Sequence, residues 1–538
     1  MFAGKKMGVQ AFFVHLLPLI LALITGALIS YLAGQDQNWD LLNYHFYDAF
    51  AFLNHRAYLD FAPAGIQTFN NPLVDLLPYL FFSHLPTYIS GMLLGAIQGL
   101  NLWLIYELCL LVLKRYIKSN AIYTFSFLIA FLSFFAAGNL SEMGSSMGDN
   151  TTGIFVLSGL LLLLLVHVKN YTKNKTMAIN FLSYACFGIA AGLKLTNTVY
   201  LVAALCVELM NWSGLIAFLK KTILNLTGSL VGIIISYGFW GIYLYDRFAN
   251  PIFPFYNHLF KSKYYPLVNF SDPRFFPHSF LQWVFYPFYF MHTQHLAAEV
   301  FYRYDGLAFA YASVLILLFA FLYKKVFMKN MYFNMGKPQR IVLFFITLGY
   351  ILWLFEFSIY RYLIPLELLS ILVVVIVSFV LIKRVGLVIA LSLLLGIVII
   401  ATVRPMNWGR APWQKSLFII KLPYEIQDSS VILMSYSQPV SFLVPSFPKS
   451  VPSINIDSSL SSVNNPHTPT QQFIRSMVKG YLKSDKTFYA IETSPNKQIE
   501  VKAFAKYGFT PYSCKQIGTN VTAENITFYL CKTKYLLP

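Results

Sequence analysis

The stretch DQNWDLLNYHFYDAF, residues 36–50, places Asp36, Asp40, Tyr44 and Asp48 at i, i+4, i+8 and i+12. On one helix that spacing lines a single face. Leu41, Leu42 and the neighbouring aromatics would seat such a helix at an interface. A carboxylate held there and partly desolvated has its pKa raised towards that of a general base. The plainer reading is a polar loop whose acids cap helices. His45 reads as a packed or hydrogen-bonded histidine rather than as a catalyst. Two cations stand where a charge is costly, at the ends of apolar runs: Lys194 in AAGLKLTN and Arg361 in YRYLIPLELL. The Arg361 fork suits a phosphate, whereas a lysine in that place can simply snorkel to headgroups. Arg361 could equally pair with Glu356 or Glu367. Arg303 in YRYDG is a third cation, and Asp149 lies beside Glu142 in SSMGDNTT, which is also good capping chemistry.

The elements that must position these residues are membrane spans. Of 538 residues, 57% are hydrophobic and 12% charged, with a mean hydropathy of +0.59. A soluble protein of that composition would expose large apolar patches. Apolar windows fall at 12–33, 86–113, 121–138, 152–168, 178–193, 197–211, 222–245, 306–323, 341–355, 362–382 and 386–402. Most approach the roughly 20 residues that cross a bilayer, with 197–211 and 341–355 short. The fold class expected is an all-α polytopic membrane protein of about 11 transmembrane helices. The first run is too long for a signal-peptide core and lacks a small-residue cleavage site, so it reads as a retained span.

Net charge is +18, but its distribution speaks for topology rather than for nucleic acid. With a cytoplasmic N-terminus, seventeen Lys/Arg and no Asp/Glu fall on one side, in Lys5-Lys6, LKRYIKSN, VKNYTKNK, LKKT, YKKVFMKNMYFNMGKPQR and IKRVG. Loop 34–86, on the other side, has one arginine (Arg56) and five aspartates. This asymmetry follows the positive-inside rule. No Walker A motif, dinucleotide-binding loop or zinc-type Cys/His spacing occurs, so ATP-driven transport has no support.

Three regions lie outside the bilayer. Loop 34–86 carries interfacial runs such as LLPYLFFSHL, and loop 246–305 is rich in Pro, Phe and Tyr, as an interfacial belt or lid would be. From residue 403 onwards no span-length run remains. SVILMSYS, TFYAIET and NITFYLCKTK are strand-like, while TPTQQFIRSMVKGYLK and EVKAFAKYG have helical spacing, the second stopped at Gly508. The expected division is therefore 1–402, a multi-span domain, and 403–538, a small extracytoplasmic α/β domain. Cys109, Cys186 and Cys206 fall in spans as apolar filler, and Cys514 and Cys531 are disulfide candidates in an oxidising compartment.

The order of D-x-x-x-Y-H after the first span, SSMGDNTT, AAGLKLTN, NPIFPFYN and YRYLIPLELL resembles the GT-C superfamily of membrane glycosyltransferases. These use polyprenyl-phosphate-linked sugars and include the protein mannosyltransferases and the lipid A aminoarabinose transferases. The resemblance covers most of residues 1–400. It implies that the carboxylate of Asp40 is the general base, with Asp36 as the nearest second acid, and matches Tyr44 and His45 to the same motif. It implies a further acidic position at Asp149 that holds a divalent cation or orients the acceptor, with no other cofactor. Lys194, Arg361 and Arg303 would then bind the donor phosphate. The partners implied are a polyprenyl-phosphate sugar donor, a glycan, lipid or protein acceptor, and the bilayer, with no nucleic acid.

The expectation is a sugar transferase of the extracytoplasmic face, inverting, and in a bacterial inner membrane. The rivals are a lipid-linked oligosaccharide flippase or transporter, which should carry broken helices or mid-membrane charges, and an O-antigen polymerase or ligase, which would centre its chemistry on a late loop. A membrane anchor that only presents the tail domain needs a single span.

Overall fold

The computed structural model describes residues 12–211, 214–270, 272–291, 296–327, 333–435, 438–494, 497–522 and 526–536. Lys5, Lys6 and Lys329, counted among the basic residues above, lie outside them. Among the described residues, nine helices are long and apolar enough to cross a membrane: Phe12–Ala33, Thr87–Leu113, Asp149–Val168, Lys173–Leu193, Leu215–Phe248, Gly306–Val326, Lys337–Glu356, Tyr360–Leu381 and Val385–Thr402. This is the make-up of a multi-pass membrane protein. The windows at 121–138 and 197–211 fall on the shorter apolar helices Ala121–Phe134 and Leu195–Met210. The first of these stops because the chain turns extended at Ala136 (ψ 146°) before restarting as Ala137–Glu142.

The chain forms two compact units. The first comprises Met1–Ala33, Met92–Ser236 and Asp272–Asn407. Inside it, Tyr360–Leu381 has 89% of its apolar window buried, which explains why it is apolar on every face. Small residues let the first two spans touch backbone to backbone. A Cβ added at Gly95 would stand 2.5 Å from both the Gly26 carbonyl oxygen and Ser30 Cβ.

The second unit gathers Gly34–Gly91, Tyr237–Ser271 and Trp408–Pro538. Its centre is a five-stranded sheet: β1 (Ser430–Ser435), β2 (Ser453–Asp457), β3 (Thr487–Ser494), β4 (Phe509–Gln516) and β5 (Thr527–Tyr535). The strand order is β2-β1-β3-β5-β4, with β1 parallel to β2 and β3, and β5 antiparallel to β3 and β4. Cys514 and Cys531 form a disulfide between β4 and β5. Helix Pro469–Lys483 starts at Thr468, whose side chain accepts the Gln471 amide. Helix Lys497–Ala505 ends before Gly508, which takes φ +82°.

This sheet does not stand alone. Leu42, Tyr44, Tyr47 and Phe50 of the aspartate-rich loop share one core with Ile432, Met434, Phe442, Ile491 and Phe528 of the tail. Phe61 pairs in parallel with Ile454 at the β2 edge. Arg56, 1% exposed, donates to both Asp60 carboxylate oxygens (2.8 and 2.7 Å) and to the carbonyls of Lys449 and Val451. Asp60 also accepts the Ser453 amide at 2.8 Å. The compact unit therefore joins the tail to a loop that the boundary at 402/403 assigns to the other domain. Within Tyr237–Ser271, NPIFPFYN is a set of locked turns: Asn257 is fully buried and donates to the carbonyls of Ser262, Tyr265 and Pro266.

Candidate functional site

The aspartate-rich stretch is not one continuous α-helix. Gln35–Asp36 is a short strand paired antiparallel with Arg410–Ala411, so Asp36 does not share a helical face with Asp40, Tyr44 and Asp48. Its Oδ1 accepts the Asn38 backbone and side-chain amides, and Asn38 in turn receives the Leu41 amide. That local turn, an alternative that aspartate and asparagine side chains offer the backbone, delays the helix past Asp36. Helix then runs through the π-turn Leu41–His45 into Phe46–Leu53. The wider π-turn shifts later side chains around the axis relative to a regular i+4 row.

All five aspartates of this loop are buried: Asp36, Asp40, Asp48, Asp60 and Asp75. Asp40 accepts the Tyr44 hydroxyl at 3.2 Å, the contact that i+4 spacing predicts. His45 turns an imidazole nitrogen to Asp75 rather than to Asp40 or Tyr44. Its Nδ1 lies 2.5 Å from Asp75 Oδ1, both side chains are buried, and its Nε2 has no hydrogen-bond partner. Asp75 sits in the first turn of Leu73–His84 behind Pro72. Sequence reading missed it as a partner; its signal was to be one of only five acids in the loop.

Asp48, 4% exposed, has both carboxylate oxygens without a hydrogen-bond partner. Burial first, then the charge of Asp75, holds its carboxyl well above the usual carboxylate range. Asp48 lines a small hollow with Tyr47, Asp60, Trp240, Tyr243 and Arg247. The Trp240 and Tyr243 rings stack at 4.7 Å there.

The first unit carries the other predicted residues. Lys194, in the C-terminal turn that follows Lys173–Leu193, donates to Asp149 Oδ2 at 2.5 Å and to the Met147 carbonyl at 3.1 Å. Its ammonium stands 5.4 Å from the centre of the Tyr362 ring, and the Arg361 guanidinium stands 5.3 Å from the same ring. The two cations chosen from sequence therefore meet around one tyrosine. Asp149 begins its helix, yet its side chain is engaged with Lys194. Glu142 is fully buried nearby, and burial first, then the charge of Asp149, raises its carboxyl well above the usual range, with Lys194 and Arg361 opposing. Glu367, considered as a partner for Arg361, instead accepts the Tyr360 hydroxyl (2.5 Å) and the amides of Gly138 and Asn139. Arg303 pairs with Asp305 at 3.2 Å and is bound through its backbone to Arg404.

Among the described residues, the one set of three ligand-type side chains gathered within reach of an ion is Glu492, Cys514 and Cys531, whose sulfurs are bonded to each other. Asp149 is taken by Lys194, the His45 Nδ1 by Asp75, and the Tyr44 hydroxyl by Asp40. Both Asp48 carboxylate oxygens and Glu142 Oε1, by contrast, are buried without a hydrogen-bond partner.

No protein-family model matches the chain, and no curated protein matches it. Among solved structures it is similar to the apo oligosaccharyltransferase of Archaeoglobus fulgidus, at 12% identity and a TM-score of 0.47, over 91% of this chain and 71% of that one. The complex of that oligosaccharyltransferase with Zn and sulfate matches at 12% identity and 0.45, over 87% and 67%. Likeness at this level assigns neither family nor activity.

Proposed function

We propose that the protein is a GT-C-type glycosyltransferase that moves a sugar from a polyprenyl-phosphate donor to an acceptor hydroxyl at the extracytoplasmic face. The observation that carries this reading is the meeting of Lys194 and Arg361 on Tyr362, beside Asp149 and Glu142. A sugar on a lipid phosphate already has a good leaving group. Such a reaction asks for cations where phosphate charge grows and for a base to take the acceptor proton. Lys194 and Arg361 are assigned the phosphate, and Asp149 holds the Lys194 ammonium in place.

Asp40 is assigned the base, with the Tyr44 hydroxyl orienting its carboxylate. The acceptor oxygen attacks the anomeric carbon, the bond from that carbon to the phosphate oxygen breaks, and the acceptor proton passes to Asp40. A single displacement of this kind inverts the anomeric centre. His45, held by Asp75, is assigned to orienting the acceptor rather than to proton transfer. Loop 246–305 would cover the lipid and sugar, and the sheet-bearing tail would present the acceptor.

The test follows polyprenyl-phosphate sugars in membranes that carry wild type or Asp40→Asn at matched abundance and folding. Wild type is expected to discharge one such donor and the variant to be slowed by roughly 10²–10⁴-fold. Equal discharge by both would move the base to Asp36. No discharge of any donor by wild type would sink the transferase reading and bring the flippase and polymerase readings forward.

A further inference from the structure

We propose that Arg303 and Arg404 together form a binding site for the phosphate of an anionic membrane lipid. The two residues exchange reciprocal backbone hydrogen bonds, each amide donating to the other's carbonyl at 3.0 Å, as an isolated antiparallel bridge. In such a directly opposed pair the two side chains leave from the same side of the ladder. Like charges directly opposite repel, so the arrangement stores a local excess of positive charge.

The neighbouring groups do not cancel that excess. Asp305 engages the Arg303 guanidinium through both of its oxygens, at 3.5 and 3.2 Å, and accepts the Thr402 hydroxyl at 3.3 Å. Arg404 is exposed and donates only to main-chain oxygens, those of Val403 (2.8 Å) and Ala401 (3.5 Å). No carboxylate lies within ion-pairing distance of it among the described residues. The one carboxylate beside the bridge thus pairs with Arg303, and the Arg404 guanidinium keeps its charge unmatched among the described residues.

Position selects the class of anion. Arg303 precedes the candidate span Gly306–Val326 by three residues, and Arg404 follows Val385–Thr402 by two. The bridge therefore fixes both cations at the boundary of the apolar layer. Apolar side chains one turn or more into each span are exposed: Phe309 on one, Val398 and Ile397 on the other. A cation pair above exposed apolar surface suits a phosphate that carries acyl or prenyl chains. A free phosphate would need no such surface.

The test uses the purified full chain, stripped of lipid, and counts bound lipid by native mass spectrometry. The probes are phosphatidylglycerol, phosphatidylcholine as the zwitterionic control, farnesyl phosphate and inorganic phosphate. Wild type is expected to prefer phosphatidylglycerol over phosphatidylcholine, and Arg404→Gln to weaken that binding by about tenfold. Arg404→Lys should retain part of it, because a point charge survives without the fork. Should Arg404→Gln not fold, wild type still decides: its phosphatidylglycerol binding must weaken as salt rises. Stronger Arg404-dependent binding of farnesyl phosphate would support the site and name a prenyl lipid as its source. Three outcomes overturn the proposal: equal binding of phosphatidylcholine, unchanged binding in a folded Arg404→Gln, or inorganic phosphate competing as well as lipid. Each leaves the Asp40→Asn test of transfer standing on its own.

Discussion

Asp48 is where the chemistry of single residues is most exposed to experiment. Its carboxyl is buried, its oxygens have no hydrogen-bond partner, and burial with the Asp75 charge raises its pKa. The native chain then keeps a proton that the unfolded chain releases above about pH 3.9. Because the native state binds more protons, stability falls as pH rises from about 4 up to the raised value, and levels off above it. Asp48→Asn removes that ionisation, so its melting temperature should decline less than that of wild type between about pH 4 and 8. Parallel curves for the two proteins would show that Asp48 is ionised in the folded state. Sequence spacing had set Asp48 on the same face as Asp36 and Asp40. It could not show that Asp36 is drawn into a strand by its bonds to Asn38, or that a π-turn intervenes.

Between elements, the buried Arg56–Asp60 pair ties the aspartate-rich loop to β2 and to the chain leading into it. Both side chains are buried, so removing one partner strands the other charge without water. Arg56→Leu is expected to destabilise the second unit by about 3–5 kcal/mol. The double variant Arg56→Leu/Asp60→Leu should recover much of that loss, since an apolar pair of similar volume carries no desolvation cost. Chemical unfolding of both variants checks the claim, and a double variant as unstable as the single one would count against it. The sequence marked Arg56 only as the lone basic residue of its loop. Its partners Lys449 and Val451 lie almost four hundred residues on, beyond the reach of any local pattern.

For the whole molecule, charge asymmetry makes a prediction of sidedness. If the basic segments lie on the cytoplasmic face, as the positive-inside rule expects, the tail with its Cys514–Cys531 disulfide lies on the opposite side. A cysteine introduced at the exposed Ser484 should react with an impermeant maleimide in intact cells, whereas one at the exposed Asn170 should react only after permeabilisation. The reverse pattern would invert the topology and remove the extracytoplasmic site from the proposal.

The sequence by itself determined the apolar helices, the strand and helix types of the tail, and the residue types able to hold a phosphate or take a proton. Those properties follow from hydropathy, periodicity and charge, which act over a few turns of chain. Only the tertiary structure decided that Lys194 and Arg361 share Tyr362, that His45 is held by Asp75, and that Arg303 faces Arg404. It also decided that the first loop and the tail sheet build one core. Partners of that kind are chosen by packing and by the need to satisfy buried polar groups across large sequence separations, and no local spacing encodes them.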